Sequence, residues 1–326
     1  MKTVGELGEA GLLKLIEDRF VSGAPHVERG IGDDAAVLKE AVGRSILTAD
    51  MLVEGVDFDF AWAGWADVGH KAVAVNLSDI AAMGAEPRGL LLSLGLRPTD
   101  LLSDVEQLVS AFAEFGSSLG APLLGGDLSS TDGPLVVSVT AVGEASANDV
   151  LYRYRGRAGE RILVTGELGG AAAGLLQLFS GQTTRGPLIE RQLRPEPRVA
   201  VGRTVAKSGL VSSCADVSDG LAADVLHIVE PGAGALIELD RLPIAKGVRE
   251  VCERHERDPA ELALSGGEDF ELVMTAAEVH VADLKSLVRE LGAELTDVGV
   301  VVDRPGVRYV GDLDSESVKG FEHFVS

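Results

Sequence analysis

Residues 65–96, WADVGHKAVAVNLSDIAAMGAEPRGLLLSLGL, contain a predicted helix over 65–83 and a predicted strand over 89–96. The helix prediction rests on apolar residues at helical spacing, and the strand is an apolar run that begins at a glycine. One face of the helix carries Asn76 and Asp79 among apolar residues. A carboxylate in such a stripe must be paired, protonated or bound to a cation, because an isolated buried charge is too costly. The stretch therefore predicts α/β structure that carries a polar site.

The same alternation of strands and helices continues on both sides of this stretch. Strands are predicted over 44–50, 134–142, 161–166, 235–239, 270–275 and 297–302, and helices over 99–119, 169–180, 195–207 and 219–229. Thr99 is the predicted N-cap of its helix. The polar, locally basic segment 143–160 is the predicted connection between two α/β domains of similar size, residues 1–146 and 147–326.

Composition limits the classes of partner. The 326 residues are 46% hydrophobic, which is enough for two domains that each have a core. The formal net charge of −22 argues against nucleic-acid binding, because a phosphate backbone requires basic patches. No run approaches the roughly 20 apolar residues of a membrane helix. The N-terminus lacks a signal-peptide pattern, and Cys214 and Cys252 have neither metal-ligand spacing nor a disulfide framework. We expect a cytoplasmic protein without membrane or nucleic-acid partners.

Aspartates recur at the ends of apolar runs, usually beside glycine. They occur in the segments 30–34, 45–50, 122–127, 216–220 and 265–269. Any one segment could be an ordinary turn or cap, because Asp and Gly are favoured in both. Two carboxylates about 4 Å apart repel by roughly 4 kcal/mol at an effective dielectric constant near 20, so a cluster of them must bind protons or hard cations. With oxygen ligands and no His/Cys grouping, Mg²⁺ is the expected metal.

A magnesium site flanked by glycine-rich segments is suited to polyphosphate, because the metal bridges phosphate oxygens that an acidic protein would otherwise repel. The Walker A and protein-kinase signatures are absent. The run GELGG at 166–170 follows a predicted strand but does not match GxGxxG, and we interpret it as an ordinary strand-to-helix turn. The pattern favours a Mg²⁺-dependent, ATP-using phosphotransferase of a class without these signatures.

Six segments resemble, in order along the chain, the motif series of thiamine-monophosphate kinases. They are GIGDDAAVL (30–38), TADMLVEGVDF (48–58), KAVAVNLSDIAAMGAEP (71–87), GGD (125–127), SDGL (218–221) and SGGEDFEL (265–272). The resemblance implies the two-domain α/β fold (α+β type) of aminoimidazole ribonucleotide synthetase. In that fold the N-terminal domains of a homodimer pair into a β-barrel, and the C-terminal domain covers the nucleotide. The implied reaction is the direct, in-line transfer of a phosphoryl group from ATP to thiamine monophosphate.

The resemblance also implies roles for individual residues. The implied Mg²⁺ ligands are Asp34, Thr48, Asp50, Asp79, Asp127, Asp216 and Asp219, of which Asp50, Asp79 and Asp127 are the expected catalytic acids. The implied nucleotide contacts are Gly126, Asp127, Arg153 and Ser218, and the implied acceptor contacts are Asp57, Glu268 and Phe321. Phe321 would stack on a cationic or aromatic ring of the acceptor. Many relatives have histidine where this chain has Asp57.

Several of these residues have structural alternatives. Arg153 could belong to a solvated basic loop, Phe321 could pack a C-terminal tail, and Glu268 could cap a turn. Other members of the superfamily also remain open. Selenophosphate synthetases carry a reactive cysteine or selenocysteine near the N-terminus, whereas the first cysteine here is Cys214, and hydrogenase-maturation relatives end in a cysteine, whereas this chain ends in HFVS. Two further alternatives are an aminoimidazole ribonucleotide synthetase and a non-catalytic cation or nucleotide sensor. An assay of ADP production with a panel of phosphorylated acceptors would separate all of these classes.

Overall fold

The computed structural model describes residues 2–20, 23–31, 35–40, 43–182, 184–313 and 318. The chain divides into two compact units. The first comprises Met1–Ile80 and Glu86–Ala147, and the second comprises Ala81–Ala85 and Asn148–Ser326. Among the described residues, no helix combines the length and the apolar composition that crossing a bilayer requires.

The first unit is built around a mixed sheet. Its helices are α1 (Val4–Leu7), α2 (Glu9–Arg19), α3 (Trp65–Ala82, whose last two residues group with the second unit) and α4 (Leu102–Ser118). Its strands are β1 (Val27–Arg29), β2 (Val37–Leu38), β3 (Arg44–Val53), β4 (Glu86–Leu96), β5 (Leu123–Ser130) and β6 (Val136–Ala145). Within the described residues the sheet has the order β3-β6-β4-β5, with β6 antiparallel to both neighbours and β5 parallel to β4. β3 and β5 are therefore its two edge strands.

The core of the first unit lies on one face of this sheet. Leu90, Leu92 and Leu94 of β4 are buried, whereas Leu91 and Ser93 on the other face are only half-buried, as expected from the period of two in a strand. Phe112 of α4 is fully buried, and burial of a large apolar side chain contributes about 1.5–3 kcal/mol to the free energy of folding. α3 approaches α4 closely, since a Cβ on Gly69 would lie 2.2 Å from the carbonyl oxygen of Leu108.

The second unit contains a larger sheet. Its strands are β7 (Arg161–Thr165), β8 (Ser213–Val217), β9 (Gly234–Glu238), β10 (Glu271–Ala276), β11 (Leu295–Val302) and β12 (Gly306–Val310). Its helices are α5 (Gly170–Phe179), α6 (Pro187–Leu193), α7 (Val199–Ser208), α8 (Leu221–Ile228), α9 (Val248–His255), α10 (Pro259–Ser265) and α11 (Val281–Glu290). In the described part of the chain the strand order is β12-β9-β11-β7-β10-β8, antiparallel except for β12 with β9.

Two apolar clusters form the core of the second unit. The larger joins the sheet to α8 and α10 through residues such as Val164, Val217 and Val225. The smaller joins α5, α6 and α9 through Ala173, Leu188 and other side chains. The end of α6 lies close to the start of α5, and a side chain of α6 contacts the loop before β10.

The predicted strands and helices all correspond to elements of the structure, but two predictions of position are wrong. Thr99 is not an N-cap, because α4 begins at Leu102 after a turn in which Asp100 accepts the N–H of Arg97 at 2.8 Å. Asp50 does not end its strand, and Asp127 lies in β5, a strand that was not predicted. β3 continues to Val53 and β5 to Ser130, so both aspartates lie inside edge strands, where a polar side chain can reach solvent.

Candidate active site

The inward face of β3 carries two of the predicted site residues. Thr48 and Asp50 are half-buried, whereas Leu47, Ala49 and Met51 on the opposite face are exposed. The pKa of Asp50 is raised to about 6, first by burial and then by repulsion from Asp79 and Asp57. Carboxylates therefore lie close enough around Asp50 to disfavour its ionised form.

α3 supplies the third member of this group. The hydroxyl of Thr48 donates to Asp79 Oδ2 at 2.5 Å, which brings the helix and the strand together. One turn earlier on the same helical face, Asn76 is fully buried. Its Oδ1 accepts the backbone N–H of Asp50 at 3.1 Å, and its Nδ2 donates to the carbonyl of Ala72 at 2.9 Å. Asn76 thus fixes the backbone at Asp50 from the same face that carries Asp79.

Asp57 lies in the turn that follows β3. Its Oδ2 accepts the N–H of Val53 at 2.8 Å, and its backbone carbonyl accepts from Lys71 Nζ at 3.2 Å. Lys71 is itself almost fully buried on α3. The Asp57 carboxylate therefore closes its own turn while it adds negative charge near Asp50.

The GGD segment lies in β5. Gly126 has a φ of 159°, and a Cβ there would lie 1.7 Å from the carbonyl oxygen of Leu92, so only glycine allows β5 to pair with β4 at this point. Asp127 follows with an exposed side chain and pairs with Ser93. Gly126 and Asp127 line a pocket of about 910 Å³, together with parts of α2, β4 and β6.

The donor atoms in the first unit match the expected metal. Thr48, Asp50 and Asp79 offer hydroxyl and carboxylate oxygens, the hard ligands that Mg²⁺ prefers, and repulsion at Asp50 favours a bound cation. Asp34 and Phe321 lie outside the described residues. Among the residues that are described, no group of three or more His, Cys, Asp or Glu side chains is arranged to hold a metal ion.

In the second unit, Asp216 is the penultimate residue of β8 and is 3% exposed. Arg153 Nη2 lies 3.8 Å from Asp216 Oδ1, so the structure pairs a predicted phosphate contact with a predicted metal ligand. This contact places Arg153 beside the SDGL segment, whereas the alternative of a solvated basic loop would leave Arg153 without an acidic partner. The contact still leaves the guanidinium partly exposed.

The SDGL segment is held by an aspartate that the sequence analysis did not identify. Asp224, 1% exposed on the first turn of α8, accepts the N–H groups of Ser218 and Asp219, both at 3.0 Å. Burial raises the pKa of Asp224 to about 7, although these two hydrogen bonds oppose the shift. The sequence did offer a signal for this role of Asp224. It is an acidic residue in the first turn of a predicted helix, and helix N-termini favour negative charge.

The SGGEDFEL segment packs against the same loop. Glu268 donates its backbone N–H to the carbonyl of Ser218 at 2.7 Å, and its Oε2 accepts from Gln192 Nε2 at 2.5 Å. Asp269 accepts the N–H groups of Gly169 and Ala171, at 2.6 and 3.1 Å, and so caps α5. The GELGG run is therefore a strand-to-helix turn held by a carboxylate.

Two family models cover most of the chain. The N-terminal domain model of AIR synthase related protein matches residues 32–145, and the C-terminal domain model matches residues 157–312. The thiamine-monophosphate kinase of Salmonella typhimurium is 37% identical over 335 residues, with 98% of this chain and 99% of the relative covered. That of Rhodopirellula baltica is 35% identical over 311 residues, with 92% of each chain covered.

The chain belongs to the thiamine-monophosphate kinase family. Among solved structures, the family member from Stenotrophomonas maltophilia is 35% identical with a TM-score of 0.81, covering 92% of this chain and 95% of that one. A structure of AaThiL complexed with AMPPCP and TMP is 31% identical with a TM-score of 0.77 and 99% coverage of both chains. The predicted family, the two-domain α/β fold with mixed sheets and the assignment as a kinase are confirmed. Hydrogenase maturation protein HypE of E. coli, at 22% identity and a TM-score of 0.75, shares the fold alone.

Proposed function

We propose that the chain transfers the γ-phosphoryl group of ATP to the phosphate of thiamine monophosphate, giving ADP and thiamine diphosphate. The observation that carries the proposal is the group formed by Thr48, Asp50 and Asp79, in which oxygen ligands and like charges meet on one face of the sheet. The pocket lined by Gly126 and Asp127, which does not include Thr48, Asp50 or Asp79 in its lining, and the two ligands of the related complex, AMPPCP and TMP, support the same reaction.

The proposed metal ligands are Asp34, Thr48, Asp50, Asp79 and Asp127 in the first unit and Asp216 and Asp219 in the second. When bound at these residues, Mg²⁺ would supply positive charge that offsets the negative charge developing during phosphoryl transfer. The β3–α3 contacts orient the acids for this purpose, because Asn76 and Thr48 hold Asp50 and Asp79 in place before any ligand arrives.

The remaining proposed contacts are with the two substrates. Gly126, Asp127, Arg153 and Ser218 bind the nucleotide, and Asp57, Glu268 and Phe321 bind thiamine monophosphate. The acceptor is a phosphate ester that is already anionic, so the chain needs to position it in line with the γ-phosphate and does not need a strong base. The transfer is direct, and the protein forms no phosphoenzyme.

Homodimer formation through the first unit is part of the proposal. Leu47 and Met51, on the edge strand β3, are 67% and 57% exposed and lie on the face of the strand opposite to Thr48 and Asp50. An exposed apolar edge is a surface that proteins usually cover by pairing. Pairing of two first units at this face would support the β-barrel that the family resemblance implies.

Turnover tests the function directly. The purified chain is assayed for ADP formation with Mg²⁺, ATP and a panel of phosphorylated acceptors that includes thiamine monophosphate. The proposal requires thiamine monophosphate to be the preferred acceptor, with thiamine diphosphate as the product. Tight ATP binding without any product would favour a nucleotide sensor, and preference for another acceptor would favour a different member of the superfamily.

A further inference from the structure

A buried amide on α6 contacts the loop that precedes β10. Gln192 is 2% exposed and lies in a short helix whose other buried residues, Leu188, Ile189 and Leu193, are apolar. Its Nε2 donates to Glu268 Oε2 at 2.5 Å. The direction of this bond is fixed by chemistry, because a carboxylate can only accept and the amide must therefore present its NH₂ group.

The other end of the Gln192 amide makes no hydrogen bond. Its Oε1 is buried and has no hydrogen-bond partner in the described part of the chain. An unsatisfied buried acceptor is destabilising, and an apolar side chain of similar size would avoid this cost. Core packing alone therefore does not explain a glutamine here. Its hydrogen bond to Glu268 does.

The backbone of the contacted loop is strained around Glu268. Gly267, Glu268 and Phe270 have φ values of 67°, 57° and 48°, and the left-handed region is unfavourable for the two residues that are not glycine. The loop is anchored to the SDGL segment, since Glu268 N–H donates to Ser218 O at 2.7 Å and Phe270 N–H donates to Val217 O at 2.9 Å. Glu268 is thus fixed at its backbone by one segment and at its carboxylate by another.

We infer that Gln192 is a positioning residue that aims the Glu268 carboxylate at the acceptor. The inference rests on the proposed function, in which Glu268 contacts thiamine monophosphate. The hydrogen bond from Gln192 fixes the orientation of the Glu268 carboxylate, a group that accepts hydrogen bonds and attracts cations. The ligand that suits such a group carries N–H donors or a positive charge, as the aminopyrimidine and thiazolium rings do. Gln192 therefore acts on the affinity for the acceptor and leaves nucleotide binding unchanged.

The experiment compares two variants of the full-length chain with a matched control. Gln192→Met keeps the length of the side chain and removes both hydrogen-bonding groups, and Gln192→Glu replaces the donor by a second carboxylate. The control is Thr275→Val, because Thr275 is also fully buried in the second unit with an Oγ1 that has no hydrogen-bond partner among the described residues. KM is measured for each substrate, the Kd of thiamine monophosphate is measured by calorimetry, and circular dichroism checks the fold.

We expect Gln192→Met to raise the KM and the Kd for thiamine monophosphate at least fivefold, with the KM for ATP within twofold of wild type. Gln192→Glu has a larger effect in the same direction, and Thr275→Val has none. The double variant with Glu268→Gln is no weaker than Glu268→Gln alone, because Glu268→Gln already removes the carboxylate that Gln192 positions.

Three outcomes overturn the inference. A folded Gln192→Met variant could bind thiamine monophosphate within twofold of wild type, its effect could add fully to that of Glu268→Gln, or the KM for both substrates could rise equally. The proposed function is tested separately, with the wild-type chain. If wild type neither binds nor phosphorylates thiamine monophosphate, both proposals are wrong. If wild type does so and Gln192→Met matches it, only the inference is wrong.

Discussion

In the first unit, the half-buried Asp50 faces the carboxylates of Asp79 and Asp57. In the second unit, Asp224 and Asp269 are held by pairs of backbone N–H groups. The pKa is raised in each case, to about 6 for Asp50 and to about 7 for Asp224 and Asp269, with burial as the largest cause. The difference lies in the neighbours. Carboxylates that face one another need a cation, whereas carboxylates that accept amide hydrogens hold the loops in place.

The largest expected effect is on turnover in the first unit. Asp79→Ala should reduce kcat by a factor on the order of 10²–10³, as for the loss of a group that stabilises transferring charge. In the metal-free variant the relief of repulsion at Asp50 and the loss of the Thr48 hydrogen bond act on stability in opposite directions, so the informative quantity is the change in melting temperature that Mg²⁺ causes. Kinetics and thermal melts with and without Mg²⁺ measure both effects.

The exposed Asp132→Asn serves as the control for this pair of measurements. Mg²⁺ should raise the melting temperature of wild type and of this control but should have little effect on Asp79→Ala. Near-wild-type turnover in Asp79→Ala would falsify the assignment of the β3–α3 group as the metal site.

A smaller loss of activity is expected at Asn76. Asn76→Leu removes the acceptor for the Asp50 N–H and leaves that donor without its partner, at a cost of about 1–3 kcal/mol. Because the Asp50 backbone shifts, kcat should fall on the order of tenfold and the affinity for Mn²⁺, measured by electron paramagnetic resonance, should weaken. An unchanged Mn²⁺ affinity together with reduced stability would mean that Asn76 serves the fold alone.

At Asp269 the main expected effect is on stability. Asp269→Leu removes the acceptor for two N–H groups at the start of α5 and should lower the free energy of unfolding by about 1–3 kcal/mol. Urea denaturation of the metal-free protein measures this loss, with the exposed Glu278→Gln as the control. Stability equal to wild type would show that the capping bonds contribute nothing.

The last expected effect is a pH dependence of stability. Burial raises the pKa of Asp269 from 3.8 to about 7, so the folded chain binds this proton more tightly than the unfolded chain does. The resulting stabilisation is fully present below about pH 4 and is lost as the pH rises through 7. Asp269→Asn, which carries no titrating proton, should therefore lose stability less steeply than wild type between pH 4 and pH 7 in urea melts. Equal slopes of unfolding free energy against pH in the two proteins would contradict a raised pKa at Asp269.

Much of the site could be predicted from local pattern. The helical spacing of Asn76 and Asp79 placed both on one face of α3, and the structure brings Asp79 to Thr48 and Asp50. Strand boundaries were less predictable. Asp50 was predicted to end its strand, and no strand was predicted around Asp127. Edge strands allow polar residues inside them, and edge position depends on the order β3-β6-β4-β5.

The sequence by itself determined many of the strands and helices, the acidic character and the motif series, because these depend on spacing within one segment. Only the tertiary structure decided which acids face other acids and which accept backbone amides. Gln192 and Glu268 are separated by 76 residues, and Asp269 and Gly169 by 100. Such pairs form only when the sheet and its helices pack, since no local spacing specifies which distant N–H or carboxylate a side chain will meet.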